Sequence, residues 1–430
     1  MQSRYKLFSD PVHGFISVPT GLVLDLIETP VFQRLRRIRQ LGLGFLAFPG
    51  AMHTRFEHAL GAMALMQDVL TTLRGKGTEI SPHEYESALI SALLHDLGHG
   101  PFSHTLETVL IGDSRDGTPH HHERMSRVLI DRLNREFDGA LDTALAIFDG
   151  TYERRFFHTL IASQLDMDRL DYLRRDSFYT GVAEGVVGVE RILKTMRVHE
   201  TETHPDGRIV IEAKGAYSVE SFILSRRLMY WQVYLHKTVI AADFLLLSTI
   251  ARARERWRSS DPALHATAPS LAYFLSNEIT ADDTERDEVA HHFASLDDTD
   301  ILYSIKRWQD ADDLILADLS RRFMNRKLFR TTLLKQSANP LDIAKRRAIV
   351  ADWLVSNNLS TEAEAENDVS YYFIFDTIRH DAYRQEDDII AILERDGSLR
   401  ELSKAENIAS VGAMVGPVER PYVCMPKEIL

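Results

Sequence analysis

The sequence predicts a mainly α-helical protein: a helical core with a small β-hairpin insertion, followed by a small mixed α+β C-terminal lobe. Three observations carry that expectation. Apolar residues recur at helical spacing through the first two-thirds of the 430 residues. Proline and side-chain caps stand where those helical stretches should begin. Strand-like patterning surfaces only locally, near residue 210 and again after residue 370.

Taken in order, Thr29-Pro30 reads as an N-cap followed by a proline at the first helical position, ahead of Phe32, Leu35 and Ile38. Ser81-Pro82-His83-Glu84 is a capping box that opens a helix turning Ala88, Leu89, Ala92 and Leu93 inward. That helix should end on His95 and Asp96. The next segment, through His104, contains Gly98, Gly100 and Pro101 and should be a loop. A further helix is expected from near Ser163, carrying Asp166, Asp168, Asp171 and Tyr172 toward Asp176. Between about residues 195 and 213 the period changes, with His204-Pro205-Asp206-Gly207 as the expected turn of a hairpin. One long helix should then run from about Ser218 to Arg254. Residues 282–300 are acidic and polar, suiting a loop with short helices. Tyr371–Phe375 reads as a strand and Ile389–Leu393 as a short apolar segment, while Gly412, Gly416, Pro417 and Pro421 should break up the tail. The expected division is a catalytic core over residues 1–309 and the smaller lobe over 310–430.

Composition narrows the function classes. The net charge of -13 disfavours non-specific binding to nucleic acid or to an anionic membrane, so an anionic substrate would need a local basic pocket. A single cysteine, Cys424, excludes an intrachain disulfide and a cysteine-based zinc site. Neither a signal-peptide core nor an apolar run of the roughly 20 residues that a membrane span needs is visible. The expectation is a soluble, cytoplasmic protein.

Chemistry concentrates early. Of 18 histidines, nine fall between His53 and His122. An isolated His-Asp pair means little, and His380-Asp381 is such a pair, without a glycine-histidine loop behind it. His95-Asp96 differs because further ligand types, His58 and Asp168, recur in helical contexts elsewhere. Two imidazoles and two carboxylates from three helices make a mixed nitrogen and oxygen set for a divalent ion such as iron, manganese, zinc or nickel. Four protein ligands leave positions open for water and a phosphate oxygen. Arg55 can reach phosphate from the turn before His58. Arg226, Tyr230, Tyr234 and Lys237, spaced four, four and three apart, should share one helix face, either as a phosphate and base clamp or as a tyrosine-rich core face.

The set resembles the HD-domain phosphohydrolases, whose metal pattern matches His58, His95, Asp96 and Asp168. The likeness is sharpest to the deoxynucleoside triphosphate triphosphohydrolase branch, whose animal members couple this domain to a SAM domain that is not expected here. It rests on Asp10–Gly14, Thr29–Arg36, Gln40-Leu41-Gly42, Phe48–Ala51, His53–His58, His95–His104 and Asp168–Tyr172, which cover roughly the first 260 residues in order.

The resemblance implies roles. His99 and His104 would stand beside the α-phosphate, Glu107 would partner His104, and His122 would approach the phosphates or a second metal, with magnesium accompanying the triphosphate. Arg226, Tyr234 and Lys237 match triphosphate contacts; Tyr230 replaces a histidine and Arg169 replaces a lysine. Gln40, Leu41, Tyr172 and Asp176 match the deoxyribose pocket, although Tyr172 could equally be core filler. Gln33 and Arg36 match guanine-recognising positions of an effector site, and Glu28 stands where the branch has aspartate; the alternative is a plain exposed helix face. The implied partners are a nucleotide substrate, a guanine-nucleotide effector and further copies of the chain, as a dimer or tetramer. Action on another nucleotide or phosphoester, or nucleotide sensing with little turnover, stays open on these residues.

Overall fold

In the computed structural model, which describes residues 4–118, 122–201, 204–259, 261–335, 339–380, 389–404 and 418–429, the caps begin the helices as their chemistry requires. The Thr29 hydroxyl accepts from the Phe32 N–H ahead of the short helix Pro30–Gln33, which tightens at once into a 3-10 turn over Arg34–Arg37. Ser81 Oγ accepts from the Glu84 N–H at 3.1 Å, and Glu84 returns to the Ser81 N–H at 2.8 Å. The helix they open, Pro82–Leu94, buries Ala88, Leu89, Ala92 and Leu93 as expected. A second reciprocal cap, Thr54 with Glu57, opens the 21-residue helix Arg55–Gly75.

These two helices and Met167–Thr180 pack side by side and form the frame of the core. The Met167–Thr180 helix packs against Arg55–Gly75 at Gly61, where a Cβ would overlap the Asp171 carboxylate and the Arg175 guanidinium. Glycine is therefore required there. The expected start near Ser163 is corrected: the helix begins at Met167 because Asp166 is its cap, accepting the Arg169 N–H at 2.7 Å.

Among the described residues, nine strands make three small sheets. β1 (Tyr5–Asp10) and β2 (Gly14–Pro19) form an antiparallel hairpin that periodicity did not suggest. β3 (Met196–Thr201) and β4 (His204–Glu212) are the anticipated inserted hairpin. Its expected turn is corrected, because His204–Gly207 belongs to β4. The register is irregular between the pairs His199↔Arg208 and Thr201↔His204, with Gly207 at φ 82 absorbing the extra residues.

The expected single helix over 218–254 is two helices. Ala216–Met229 widens into a π-helical turn at Tyr230–Tyr234, and a new helix, Lys237–Arg256, leaves at 55° with the His236 side chain as its N-cap. No single helix among the described residues is long and apolar enough to cross a membrane, although by length and composition this bent pair could do so together. The acidic stretch does hold short helices, Asp287–Ser295 and Asp298–Trp308.

The remaining strands are β5 (Arg330–Leu333), β6 (Ile374–His380), β7 (Ala391–Leu393), β8 (Leu399–Glu401) and β9 (Val418–Met425). β7 runs parallel to β4 and extends the hairpin into a sheet of order β3-β4-β7-β8, while β9 lies between β5 and β6. The strand expected from Tyr371 starts only at Ile374, because Val369–Tyr371 forms a 3-10 turn that buries Tyr372 against Asp318. Pro421, expected to break the tail, sits inside β9 opposite Thr377 of β6, and its carbonyl accepts from the Leu334 N–H at 2.8 Å just past the end of β5. Gly412, Gly416 and Pro417 lie outside the described residues, as does the Asp381 of the control pair. The helix Leu314–Met324 packs on Lys237–Arg256, and Leu316, Phe329 and Val423 join the same apolar cluster as Phe56 and Leu93.

Candidate metal centre and substrate cavity

Three helix ends converge. His58 lies one turn into Arg55–Gly75, His95 caps Pro82–Leu94, and Asp168 is the second residue of Met167–Thr180. His58 Nε2 stands 3.1 Å from Asp168 Oδ1, and His95 Nε2 stands 3.6 Å from the same oxygen. Asp96 faces both imidazoles, each Nε2 lying 3.4 Å from one of its oxygens. The other ring nitrogens are committed: His58 Nδ1 donates to Asp171 Oδ2 at 2.8 Å and His95 Nδ1 to the Ala92 carbonyl at 2.7 Å. Those bonds place the protons on Nδ1 and aim both Nε2 lone pairs into the centre. Both Nε2 atoms are buried without a hydrogen-bond partner.

Two lone pairs and two carboxylates crowded together need positive charge between them. Burial alone would lower the His58 pKa, but the carboxylates of Asp168, Asp171 and Asp96 around the ring raise it to about 10. Burial likewise works against ionised Asp168, yet His58 and His95 hold it below the usual carboxylate range. A divalent cation meets the same demand as that extra proton: His58, His95 and Asp168 bring ligand atoms within 4.8 Å of one another, and Asp96 stands 3.4 Å from both imidazoles, so the residues fit a metal.

The support behind the centre carried no assignment at the level of sequence. Asp171 accepts from His58, from His13 Nε2 at 2.6 Å and from Arg175 Nε at 2.9 Å, and Arg175 Nη1 continues to Asp10 Oδ2 at 2.7 Å. The β1–β2 turn thereby reaches the metal centre through one carboxylate. The available signal was spacing, since Asp171 follows Asp168 by three residues on one helix face.

The loop after Asp96 is held from several sides. A Cβ on Gly98 would overlap the backbone of His122, Met125 and Ser126. The fully buried Arg34 donates to the carbonyls of Leu296, Leu97 and His99. Phe102 and Ser103 take left-handed conformations, φ 54 and 56, and the Phe102 N–H donates to Asp298 Oδ1 at 2.7 Å. Asp298 Oδ2 also accepts the Arg39 N–H at 3.1 Å. Arg55 pairs with Asp96 and donates to Ser103 Oγ at 2.9 Å. Arg34, Ser103 and Asp298 were not singled out in the sequence.

A second cluster follows. His99 and His122 stack at 3.7 Å, and His104 meets both edge-on at 4.8 and 5.2 Å. Glu107 Oε2 accepts from His104 Nδ1 at 3.0 Å, and Oε1 accepts from His122 Nδ1 at 2.9 Å. Burial opposes its charge, but the two histidines hold Glu107 below the usual carboxylate range. Burial also opposes a charged His122, yet Glu107 raises it; burial with the charges of Arg55 and His122 drives His99 well down. His99 Nε2 lies 3.3 Å from Asp96 Oδ1 and so joins the two clusters. His120 and His121 are outside the described residues.

A cavity of about 400 Å³ opens beside them, lined by Gln40, Leu41, Arg55, His104, His122, Asp168, Arg169, Tyr172, Asp176, Tyr230 and Tyr234. Asp176 accepts from His53 Nε2 and from the Tyr234 hydroxyl, each at 2.7 Å. Gln40 Oε1 is buried without a partner. Arg169 Nε donates to the Ser163 carbonyl. Arg226 is buried, with its guanidinium 5.8 Å above the Tyr230 ring and its Nε unpartnered. The expected common face for Arg226, Tyr230, Tyr234 and Lys237 is corrected, because the break at residues 235–236 puts Lys237 at a separate cavity with Arg326, Arg330 and Lys427. Glu28 pairs with Lys6 at 3.0 Å. Gln33 donates to the Ile27 carbonyl and accepts from Arg36, which stacks 3.4 Å above Phe56. None of these three lines the substrate cavity.

Similarity to known proteins follows the same residues. An HD-domain family model matches residues 55–175. The uncharacterized protein YwfO of Bacillus subtilis is 36% identical over 420 residues, covering 94% of this chain and 89% of its own length. A deoxynucleoside triphosphate triphosphohydrolase SAMHD1 homolog of Dictyostelium discoideum is 31% identical over 271 residues, 60% of this chain and 51% of that protein. The crystal structure of a phosphohydrolase from Bacteroides thetaiotaomicron superposes with a TM-score of 0.87 at 38% identity, covering 98% of this chain and 99% of that one.

Proposed function

We propose that this chain, which belongs to the HD-domain family of phosphohydrolases, acts on deoxynucleoside triphosphates, yielding deoxynucleoside and inorganic triphosphate. The observation that carries the reading is the paired, buried and unpartnered Nε2 atoms of His58 and His95 beside a cavity lined by Arg55, Arg169, Tyr172, Tyr230 and Tyr234. The named activity of the Dictyostelium relative supports the choice of substrate.

His58, His95, Asp96 and Asp168 would hold the ion, one of iron, manganese, zinc or nickel. When bound, such an ion acidifies water and polarises a phosphoryl oxygen. Arg55 and Arg169 offset phosphate charge, with Arg226 behind them. His104 is bound to Glu107 through Nδ1, which leaves its other nitrogen to protonate the departing 5′ oxygen. Tyr172 closes the 2′ face of the sugar, and Asp176 with Gln40 offers acceptors to its 3′ hydroxyl.

Product analysis with the four dNTPs and ATP tests the proposal. Nucleoside plus triphosphate from the dNTPs, with ATP left intact, is the expected result. Orthophosphate release or equal use of ATP would replace it with a broader phosphohydrolase.

A further inference from the structure

Of the carboxyl groups that line the cavity, Glu123 and Asp243 are not used by the proposed chemistry, and Asp243 is the one with no histidine beside it among the described residues. Asp243 lines the cavity from the helix Lys237–Arg256, one turn beyond Val239, which lines the same wall. The other carboxylates there each have a histidine within 4.0 Å. Asp168 faces His58 and His95, Asp176 accepts from His53 and Tyr234, and Glu123 lies 4.0 Å from His122. Asp243 instead has the Thr105 hydroxyl, at 2.9 Å on Oδ1, as its single hydrogen-bond partner among the described residues. Burial pushes its pKa up to about 7. A carboxyl left in a cavity without a cation is costly unless a ligand completes it.

The surroundings restrict what that ligand part can be. An uncompensated carboxylate repels phosphate, so the triphosphate lies toward Arg55 and Arg169. A deoxyribose offers one hydroxyl, for which Asp176 and Gln40 are placed. The remaining donors of a nucleotide are the N–H groups of its base.

We propose that Asp243, held by Thr105 at 2.9 Å and facing the cavity it shares with Asp168 and Tyr172, reads the base by accepting a hydrogen bond from an exocyclic amino group. This assignment rests on the nucleotide reading above.

The test compares substrates that differ by an amino group against a carbonyl at one ring position, dCTP with dUTP and dATP with dITP, in the metal-loaded protein. The wild type prefers the amino member of each pair, and Asp243→Asn, which keeps an acceptor for Thr105, lowers that preference about 10-fold or more in kcat/KM. Equal use of both members by the wild type, or an unchanged ratio in Asp243→Asn, overturns the role of Asp243 while leaving the triphosphohydrolase reading intact. Equal use of both members by the wild type overturns the role even if the variant fails to fold. Absence of turnover on all four nucleotides overturns both.

Discussion

Asp171 shows how much of the centre depends on a residue that never meets the metal. It orients His58 while holding His13 and Arg175, so Asp171→Asn should weaken metal retention about 10–100-fold with the helical signal unchanged, read by dialysis against a chelator and metal analysis. Glu107 plays the matching part in the second cluster. Its bond to Nδ1 raises the His122 pKa, so Glu107→Gln should move the His122 titration to lower pH, as followed by imidazole NMR shifts. An unmoved titration would remove Glu107 from the proton-handling group. His104→Ala should slow turnover about 10²–10⁴-fold, the scale of a lost general acid, measured at saturating substrate.

At the scale of elements, close approach decides which sequence features could be seen. Gly61 and Gly98 lie where helix meets carboxylate and loop meets helix, and neither carries a local pattern that reveals this. Gly61→Ala should destabilise the fold by about 1–3 kcal/mol, as overpacked cores do, and lower metal content with it; thermal unfolding checks the first. Caps at Thr29 and Ser81 were legible because their partners lie three residues away. The β1–β2 hairpin was not, since β1 exposes most of its side chains and the alternation in β2 rests on Ile16 and Val18 alone. The helix expected over 218–254 kept its apolar spacing through Tyr230–Tyr234, so periodicity could not show that one extra residue per turn there redirects Lys237. His58, His95, Asp96 and Asp168 were legible as ligand types in helical frames. Arg34 and Asp298 were not, because they act by gripping the backbone of a loop distant in sequence.

For the whole molecule, the described segments before and after residue 310 share one apolar cluster, and β7 completes a sheet begun by the inserted hairpin. We propose guanine-nucleotide activation through Glu28, Gln33 and Arg36, with assembly into a dimer or tetramer. Under it, dATP hydrolysis is slow or sigmoidal alone and rises with GTP or dGTP, because the effector favours the active assembly. Hyperbolic kinetics unaffected by either nucleotide, with Arg36→Ala behaving as wild type, would reject it. The claim beneath all of this is that water attacks the α-phosphorus at the His58, His95, Asp96 and Asp168 centre. Hydrolysis of a dNTP in H₂¹⁸O, followed by mass spectrometry of the products, tests it most directly. The label is predicted in inorganic triphosphate, with an unlabelled nucleoside; label in orthophosphate or in the nucleoside would contradict it.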